Sequence, residues 1–266
     1  MKPNKPNYSL DIAILTAGRV DWFGKCLNAV LSQMKDGYRI QIHNNGHPSS
    51  EYEELYKLLP QGSKVIRSNQ MSGFSDGANK VINAGSAPLV LFITDDVIIH
   101  DGAIEALLER MKDQSIGQCG YKFLFPENGE DIDRPAGKVQ HIGMASTISG
   151  DMIHPCIGWD SDNPKCNISR EVLAVTGASF IIRRKVFSQV RGFDTIYGRG
   201  YYEDMDLSFK VRASGHRVFI DTNAVATHGV GQSFQTLKEQ TPIYQNRQIF
   251  LLRWAHAIPW SEWEMW

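Results

Sequence analysis

The chain has 266 residues, which is enough for one large domain, or for a domain with a C-terminal extension, around a buried core. Its 42% hydrophobic and 21% charged residues are typical of a globular enzyme and exclude a disordered chain. The formal net charge is -1 and no block of like charges occurs, so nucleic acid is not expected as a partner.

The cysteines and the apolar segments indicate a cytoplasmic protein. Cys26, Cys119, Cys156 and Cys166 show no C-x-x-C spacing and suggest neither a zinc site nor a dense disulfide framework. The N-terminus lacks the apolar region of a secretory signal, and no uncharged apolar run approaches the ~18 residues of a membrane span. We therefore expect a cytoplasmic chain without a transmembrane segment.

Strands and helices alternate in the first half of the sequence. Apolar runs and helix-ending residues predict strands at Leu10 to Leu15, Arg39 to His43, Lys64 to Arg67 and Leu89 to Ile93, and helices at Trp22 to Gln33, Glu51 to Leu59 and Ser72 to Ala84. This alternation implies right-handed crossovers and a mostly parallel central sheet with helices on both faces. The fold class is therefore α/β, with all these strand carboxyl ends on one edge.

Polar residues follow these strands at that edge. Thr16 follows the first strand, Asn45 the second, and the pair Asp95 and Asp96 the fourth. Such groups suit a nucleotide, and adjacent carboxylates suit a Mg²⁺ or Mn²⁺ ion that carries its diphosphate. Turn or capping roles explain each loop taken alone. The absence of G-x-G-x-x-G and of a P-loop disfavours a Rossmann dehydrogenase and a P-loop NTPase.

The middle of the sequence is less regular. Candidate strands are Gly120 to Phe125 and Lys138 to Ala145, and the loop from Ser149 to Asn167 is longer than a connection needs, which favours a binding role. Val172 to Arg184 is predicted as a strand pair with a bend at Gly177.

A second acidic cluster lies in a predicted helix within Gly200 to Gly215. Glu203, Asp204 and Asp206 occupy its first turn, where the helix dipole favours the ionised forms while mutual repulsion raises at least one pKa. A carboxylate under these opposed influences is a candidate general base. Plain helix capping is the alternative. A strand from His216 to Asp221 follows, and then His228, which is either a structural residue or a group that reaches a metal or diphosphate.

Taken in order, these segments resemble the GT-A glycosyltransferases, most closely the inverting family 2. The resemblance covers about residues 9 to 233 and rests on four groups of residues: the opening strand and helix, the Asn69 to Asn79 segment, Asp95-Asp96, and Gly177 to Arg183 with Gly192-Phe193-Asp194 and Glu203-Asp204. His228 aligns with a histidine that often helps to hold the metal. Asn44 and Asn45 stand where many members have an acidic residue, and Thr94 takes the first position of the D-x-D triplet. These departures leave the identity of the donor's nucleotide base open.

The resemblance implies a role for each candidate residue. Asp96 and His228 would hold Mn²⁺ or Mg²⁺. Asp204 would act as the catalytic base that takes the proton from an acceptor hydroxyl, and this hydroxyl would attack the anomeric carbon with inversion. The donor would be a nucleotide diphosphate sugar, with a UDP-sugar favoured, and the acceptor a glycan or glycoconjugate. Nucleotide contacts are expected from Thr16, Arg19, Asn45, Asp76 and Asp95. Acceptor contacts are expected from Trp159, Tyr201, Tyr202 and Glu203.

The domain division and several alternatives follow from the same interpretation. Residues 1–233 would form the transferase domain, with a nucleotide-sugar half at about 9–116, an acceptor half at about 117–233, and an aromatic extension at 234–266. That extension holds four of the six tryptophans, Trp254, Trp260, Trp263 and Trp266. We expect it to pack on the domain, although a peripheral membrane contact, a cover over the acceptor cleft or a homo-oligomer interface are alternatives. Other functions left open are a retaining GT-A transferase, a sugar-nucleotide nucleotidyltransferase and a non-catalytic nucleotide- or sugar-binding protein that keeps the fold.

Overall fold

A computed structural model of the chain describes residues 8–17, 20–47, 50–127, 135–147, 151–229 and 243–259. Its strands are β1 (Leu10–Thr16), β2 (Tyr38–Asn45), β3 (Lys64–Ser68), β4 (Leu89–Thr94), β5 (Val97–Ile99), β6 (Ile116–Leu124), β7 (Val139–His141), β8 (Ala145–Ser146), β9 (Met152–Ile153), β10 (Arg170–Glu171), β11 (Ser179–Arg183) and β12 (Arg217–His228). Its α-helices are α1 (Val20–Leu31), α2 (Glu51–Tyr56), α3 (Phe74–Asn83), α4 (Ala103–Arg110), α5 (Arg184–Gln189), α6 (Glu203–Ala213) and α7 (Ile243–Trp254).

One ten-stranded sheet runs through the described residues, in the order β10-β12-β6-β11-β4-β1-β2-β3, with β5 on β12 and β7 on β6. The four strands of the first half, β4-β1-β2-β3, are all parallel. Strand β11 enters antiparallel between β4 and β6, and β6 then pairs in parallel with β12. Because β11 joins the two halves, both contribute to a single sheet.

Helices cover both faces of the sheet, and the alternation along β1 shows why. Ile12 and Ile14 belong to the core cluster that also holds buried residues of α1, α2 and α4. Ala13 and Leu15, which point to the opposite face, pack with α3, α5 and α6. Each such large apolar side chain contributes about 1.5–3 kcal/mol when it is fully buried. The predicted α/β class with helices on both faces is therefore confirmed.

Three predicted elements of the second half are wrong in detail. The run Lys138 to Ala145 is not one strand, because it divides into β7 and β8. The run Val172 to Arg184 is not a strand pair: only β11 is a strand, and Ala174 makes an isolated bridge to Met144. The last strand does not end at Asp221 but continues through an irregularity to His228. In each case the backbone pairs with a segment outside the run itself, which a local apolar pattern does not reveal.

The C-terminal helix α7 packs on α6 through an aromatic cluster. Phe250 contacts Phe209 with ring centroids 5.2 Å apart, and Trp254 contacts Phe209 at 5.7 Å. The predicted aromatic extension thus packs on the domain as far as it is described, whereas Trp260, Trp263 and Trp266 lie outside the described residues. In the described part of the chain, no helix has the length and apolar character needed to cross a membrane.

Candidate active site

A cavity of about 640 Å³ opens at the carboxyl edge of the sheet. Asn45, Asp95 and Asp96 reach it from the strands of the first half. The second half contributes residues from β7, from the segment before β11, from the start of α6 and from the end of β12: Gln140, His141, Thr176, Gly177, Tyr201, Tyr202, Glu203, Asp204 and His228. The cavity therefore lies between the two halves, where a parallel sheet presents its ligand-binding edge.

The carboxylate of Asp95 is oriented by the end of β1. Thr16 donates a hydrogen bond of 2.7 Å to Asp95 Oδ2, and the amide of Ala17 donates to the same oxygen at 3.2 Å. The Thr16 hydroxyl also contacts the Tyr52 hydroxyl at 2.8 Å and is fully buried. Thr16 is thus placed to support Asp95 rather than to face a ligand.

Asp96 and His228 face each other across the strand ends. Asp96 Oδ2 lies 3.5 Å from His228 Nε2, while Asp96 Oδ1 accepts a 2.7 Å hydrogen bond from the Thr94 hydroxyl. Gln140 fixes the imidazole, because its Oε1 lies 2.7 Å from Nδ1 and its Nε2 donates to the His228 carbonyl at 2.9 Å. Burial alone would raise the pKa of Asp96, but His228 and the Thr94 hydroxyl outweigh it and lower that pKa.

The donor set of Asp96 and His228 fits a divalent metal. Since Gln140 Oε1 can only accept, His228 carries its proton on Nδ1, and Nε2 then needs a second proton or a cation between it and the carboxylate. Carboxylate oxygen and imidazole nitrogen are ligands that Mn²⁺ takes. No group of three or more potential metal-binding side chains was found within the described residues. Diphosphate oxygens and water would therefore complete the coordination, as is usual for Mg²⁺ in nucleotide sites.

Asp204 is held at the first turn of α6 by two backbone amides. Gly177 donates to Asp204 Oδ2 at 2.9 Å, and Met205 donates to Oδ1 at 2.8 Å. Burial raises the pKa of Asp204, and the two amide hydrogen bonds oppose that rise because they favour the ionised form. A side chain at Gly177 would meet the Asp204 Cβ at 3.2 Å, so a residue without a side chain allows this close approach.

Glu203, the residue before Asp204, is not held by hydrogen bonds in the same way. Its Oε2 is buried and makes no hydrogen bond among the described residues. Burial and then the adjacent Asp204 charge raise the pKa of Glu203 well above its ordinary value. The two neighbouring carboxyl groups therefore differ: two amide hydrogen bonds favour the ionised form of Asp204, whereas burial and the Asp204 charge favour the neutral form of Glu203.

The turn before α6 is strained and is held from α7. Tyr201 and Tyr202 have φ values of +69° and +74°, a left-handed conformation that costs about 1–3 kcal/mol at a non-glycine residue. The buried amide of Asn246 donates to the carbonyls of Tyr197, Gly200 and Tyr201 at 2.9, 2.8 and 3.1 Å. This helix-to-turn contact fixes the entry into α6, and with it the position of Asp204.

The sequence profile of glycosyl transferase family 2 matches residues 11–191, which is more than half of the chain. The chain belongs to glycosyl transferase family 2. The matched segment includes Asp95 and Asp96, whereas Asp204 and His228 follow it in sequence.

Individual relatives are distant and longer. The uncharacterized protein y4gI of Sinorhizobium fredii is 21% identical over 217 residues, which cover 78% of this chain and 23% of that protein. The O-antigen biosynthesis protein RfbC of Myxococcus xanthus is 31% identical over 150 residues, 53% of this chain and 11% of RfbC. The aligned part of the chain thus spans less than a quarter of either relative.

The fold of this family 2 chain is also that of a solved structure. The crystal structure of GalNAc-T7 with UDP, GalNAc and Mn²⁺ matches with a TM-score of 0.72 and 13% identity, over 98% of this chain and 50% of that one. At this identity the likeness shows the fold alone, and it confirms the predicted GT-A architecture.

Among the predicted site residues, Thr16, Asp76 and Trp159 do not line the cavity. Asn45 lines the cavity, but its amide is engaged with Ser72, whose backbone NH and carbonyl lie at 3.0 and 2.9 Å. Asp76 lies outside the lining and pairs with Lys80 at 2.6 Å. Trp159 also lies outside it and is 43% exposed. Arg19 falls outside the described residues.

Sequence reasoning also missed residues of the family 2 site. Gln140 and His141 lie within the predicted strand Lys138 to Ala145, where their polar side chains were the available signal. Thr94 appeared only as a departure from D-x-D, yet its hydroxyl binds Asp96. His154 lies in the long loop whose length had already suggested binding, and it lines the cavity.

Proposed function

We propose that this family 2 chain is a metal-dependent inverting glycosyltransferase. It would move a sugar from a nucleotide diphosphate sugar, with UDP favoured as the nucleotide, to a hydroxyl of a glycan or glycoconjugate. The observation that carries the proposal is that one cavity holds both Asp96 with His228 and the amide-held Asp204. In this proposal, the residues that bind the leaving diphosphate and the base that deprotonates the acceptor line the same cavity.

Each group has a physical role in this proposal. Asp96 and His228 would hold Mn²⁺ or Mg²⁺, which neutralises negative charge on the departing diphosphate. Asp95, fixed by Thr16, would bind the ribose or the metal. Asp204 accepts the proton of the attacking hydroxyl, and its raised pKa makes it a stronger base than an ordinary aspartate. An attack opposite to the leaving group inverts the anomeric configuration.

The two halves take different substrates in this proposal. The half at about 9–116 binds the nucleotide, and the half at about 117–233 binds the acceptor, with Tyr201, Tyr202 and Glu203 on that side of the cavity. Asp76 and Trp159 are not retained as ligand contacts, because neither lines the cavity.

The first experiment is a thermal-shift screen with UDP and with UDP-glucose, UDP-galactose, UDP-N-acetylglucosamine and UDP-N-acetylgalactosamine, each with Mn²⁺, Mg²⁺ or EDTA. A ligand at ~100 times its Kd raises Tm by roughly 5–10 °C for a chain of this size. We expect the shift to vanish with EDTA and in Asp96→Asn. The control Asp101→Asn changes an exposed carboxylate outside the cavity and should keep the shift.

Turnover separates catalysis from binding. Asp204→Asn should keep the UDP–Mn²⁺ shift and lower kcat by about 10²-fold or more, since the general base is lost. Asp160→Asn, on an exposed residue outside the cavity, is the control. Unchanged turnover in Asp204→Asn would refute the base assignment. A product with the donor's anomeric configuration, measured by NMR, would refute inversion and favour a retaining enzyme.

A further inference from the structure

Two histidines on the acceptor side of the cavity contact each other and have no role in the mechanism above. His141 ends β7, and His154 follows β9. Their Nδ1 atoms lie 2.8 Å apart, and both side chains line the cavity. A contact this short between two ring nitrogens requires that one carries a hydrogen and the other a lone pair.

The backbone determines which nitrogen carries the hydrogen. The amide of Thr176 donates to His141 Nε2 at 3.3 Å, so that nitrogen must hold a lone pair. A neutral His141 then carries its hydrogen on Nδ1 and donates it to His154 Nδ1. His154 in turn must be neutral with its hydrogen on Nε2. The chain of donors thus ends in an N–H of His154 for which the described residues offer no acceptor.

The surroundings favour these neutral forms. Burial, and then electrostatic repulsion that a protonated His141 would meet from protonated forms of His154 and His228, lower the pKa of His141 well below its ordinary value. Burial and the His228 charge likewise lower the pKa of His154 to about 4. Apolar side chains of Met144, Ile157 and Met205 share the cavity wall.

The same backbone segment places this pair and the proposed base. Thr176 donates its amide to His141, and the next amide, that of Gly177, donates to Asp204. The amides of consecutive residues lie within about 4 Å of each other. A molecule whose hydroxyl reaches Asp204 therefore lies next to the histidine pair, whereas the diphosphate lies toward Asp96 and His228.

We propose that His154 is a specificity-determining residue, whose Nε2–H donates a hydrogen bond to an oxygen of the acceptor sugar. His141 is the positioning residue that fixes the tautomer of His154. The proposal rests on the proposed glycosyltransferase function and names a contact of the same site. A neutral donor beside apolar side chains suits a sugar hydroxyl or ring oxygen, which presents lone pairs at the edge of a largely apolar ring face.

The tautomers can be measured directly by ¹⁵N NMR of the full chain labelled at histidine, with assignment from a His154→Gln spectrum. We expect protonation at Nε2 for His154 and at Nδ1 for His141, without titration across neutral pH. Methyl glycosides of glucose, galactose, rhamnose and N-acetylglucosamine are then titrated in the presence of UDP and diamagnetic Mg²⁺. At least one should shift the His154 Nε2 signal.

Kinetics then tests whether the Nε2–H of His154 contributes to acceptor binding. The acceptor is the glycoside that shifts the His154 signal, and the sugar donor is the UDP-sugar that stabilises the chain. His154→Phe keeps the ring but loses the hydrogen, and should lower kcat/KM for the acceptor about tenfold. The donor KM should not change, because the proposed contact is to the acceptor. His154→Gln restores an N–H and should recover part of the loss. His256→Phe, on an exposed residue outside the cavity, is the matched control.

The outcomes separate the two proposals. Failure of UDP with Mg²⁺ or Mn²⁺ to stabilise the wild-type chain would overturn the proposed function. If UDP and metal bind but no glycoside shifts the His154 signal, the assignment of His154 as acceptor contact is wrong. Protonation of His154 at Nδ1, or an equal loss of donor and acceptor KM in His154→Phe, would overturn it as well.

Discussion

Glu203 and Asp204 show how two adjacent carboxyl groups can differ in how strongly their surroundings favour the ionised form. Asp204 accepts hydrogen bonds from the amides of Gly177 and Met205, which stabilise its charge in a buried position. Glu203 Oε2 is buried without a hydrogen bond among the described residues, so the charge on Asp204 and the burial both favour its neutral form. Ionisation is therefore more favourable for Asp204 than for Glu203, and the two groups avoid a pair of adjacent charges.

This difference predicts a pH dependence of stability. The pKa of Glu203 is raised in the folded state, so above the unfolded value of ~4.3 the folded chain binds more protons than the unfolded chain. The free energy of unfolding therefore falls as pH rises through the folded pKa. Glu203→Gln should remove that part of the slope, measured by urea unfolding at about pH 5 and about pH 8.

A control keeps this measurement specific to Glu203. Glu109 is an exposed residue that pairs with Lys112, and Glu109→Gln should leave the slope unchanged. An identical slope in Glu203→Gln and the wild type would contradict the raised pKa. Because Glu203 is not the proposed base, Glu203→Gln should also retain measurable turnover, in contrast to Asp204→Asn.

At the scale of elements, α7 holds the strained turn that begins α6. Asn246 donates to three carbonyls of that turn, and Arg253 and Trp254 both bind Asp206 Oδ1, at 3.1 and 2.9 Å. Asp206 is fully buried in the first turn of α6, two residues beyond Asp204. A helix from the C-terminal extension therefore positions the turn that carries the proposed base.

Loss of the Asn246 amide should weaken both stability and catalysis. Asn246→Ala leaves buried carbonyls without a donor, which costs about 1–3 kcal/mol of the free energy of unfolding. Asn246→Asp should be worse, because a carboxylate oxygen then faces carbonyl oxygens. We expect a lower kcat with unchanged binding of UDP and Mn²⁺, measured by urea unfolding, turnover and thermal shift.

The exposed neighbour Gln245 supplies the comparison for this prediction. Gln245→Ala should match the wild type in all three measurements. If Asn246→Ala lost stability but kept kcat at a temperature where it is fully folded, α7 would be a structural support without influence on Asp204.

The elements also show what the sequence could predict. Strands β1, β2 and β4 are buried on both faces, so their apolar runs are continuous, and the predicted strands coincide with the observed ones to within a few residues. The left-handed Tyr201–Tyr202 turn could not be predicted, because tyrosine disfavours it and its stabilising donor, Asn246, lies 45 residues from Tyr201. The bond from Gly177 to Asp204 likewise spans 27 residues.

The fold depends on the whole order of strands and helices, whereas the function depends on a few side chains. The family and the α/β GT-A fold are confirmed, because they depend on the order of many segments. The roles of Asp96, Asp204 and His228 stay predictions, although the structure places the three side chains in one cavity. The histidine pair could not have been predicted, since Thr176, which determines its tautomers, is 35 residues from His141.

At the scale of the whole molecule, the proposed metal site joins the two halves of the sheet. Asp96 follows β4 in the first half, and His228 ends β12 in the second. Their backbones are also connected, because the Gly229 amide donates to the Asp96 carbonyl at 2.9 Å and β5 pairs with β12. A ligand that binds one half alone cannot engage both side chains, whereas the proposed metal–diphosphate complex would.

This arrangement predicts where ligand binding should protect the chain from hydrogen exchange. UDP with Mn²⁺ should slow amide exchange in peptides that contain Thr94 to Val97 and in peptides that contain Thr227 to Gly229, because the bound ion ties both segments together. With EDTA, or in His228→Asn, protection of the β12 end should be lost, and the UDP-dependent rise in Tm should become smaller. His256→Asn is the control at an exposed position. Equal protection of both segments with and without the chelator would mean that the nucleotide, rather than a metal held by Asp96 and His228, connects the two halves.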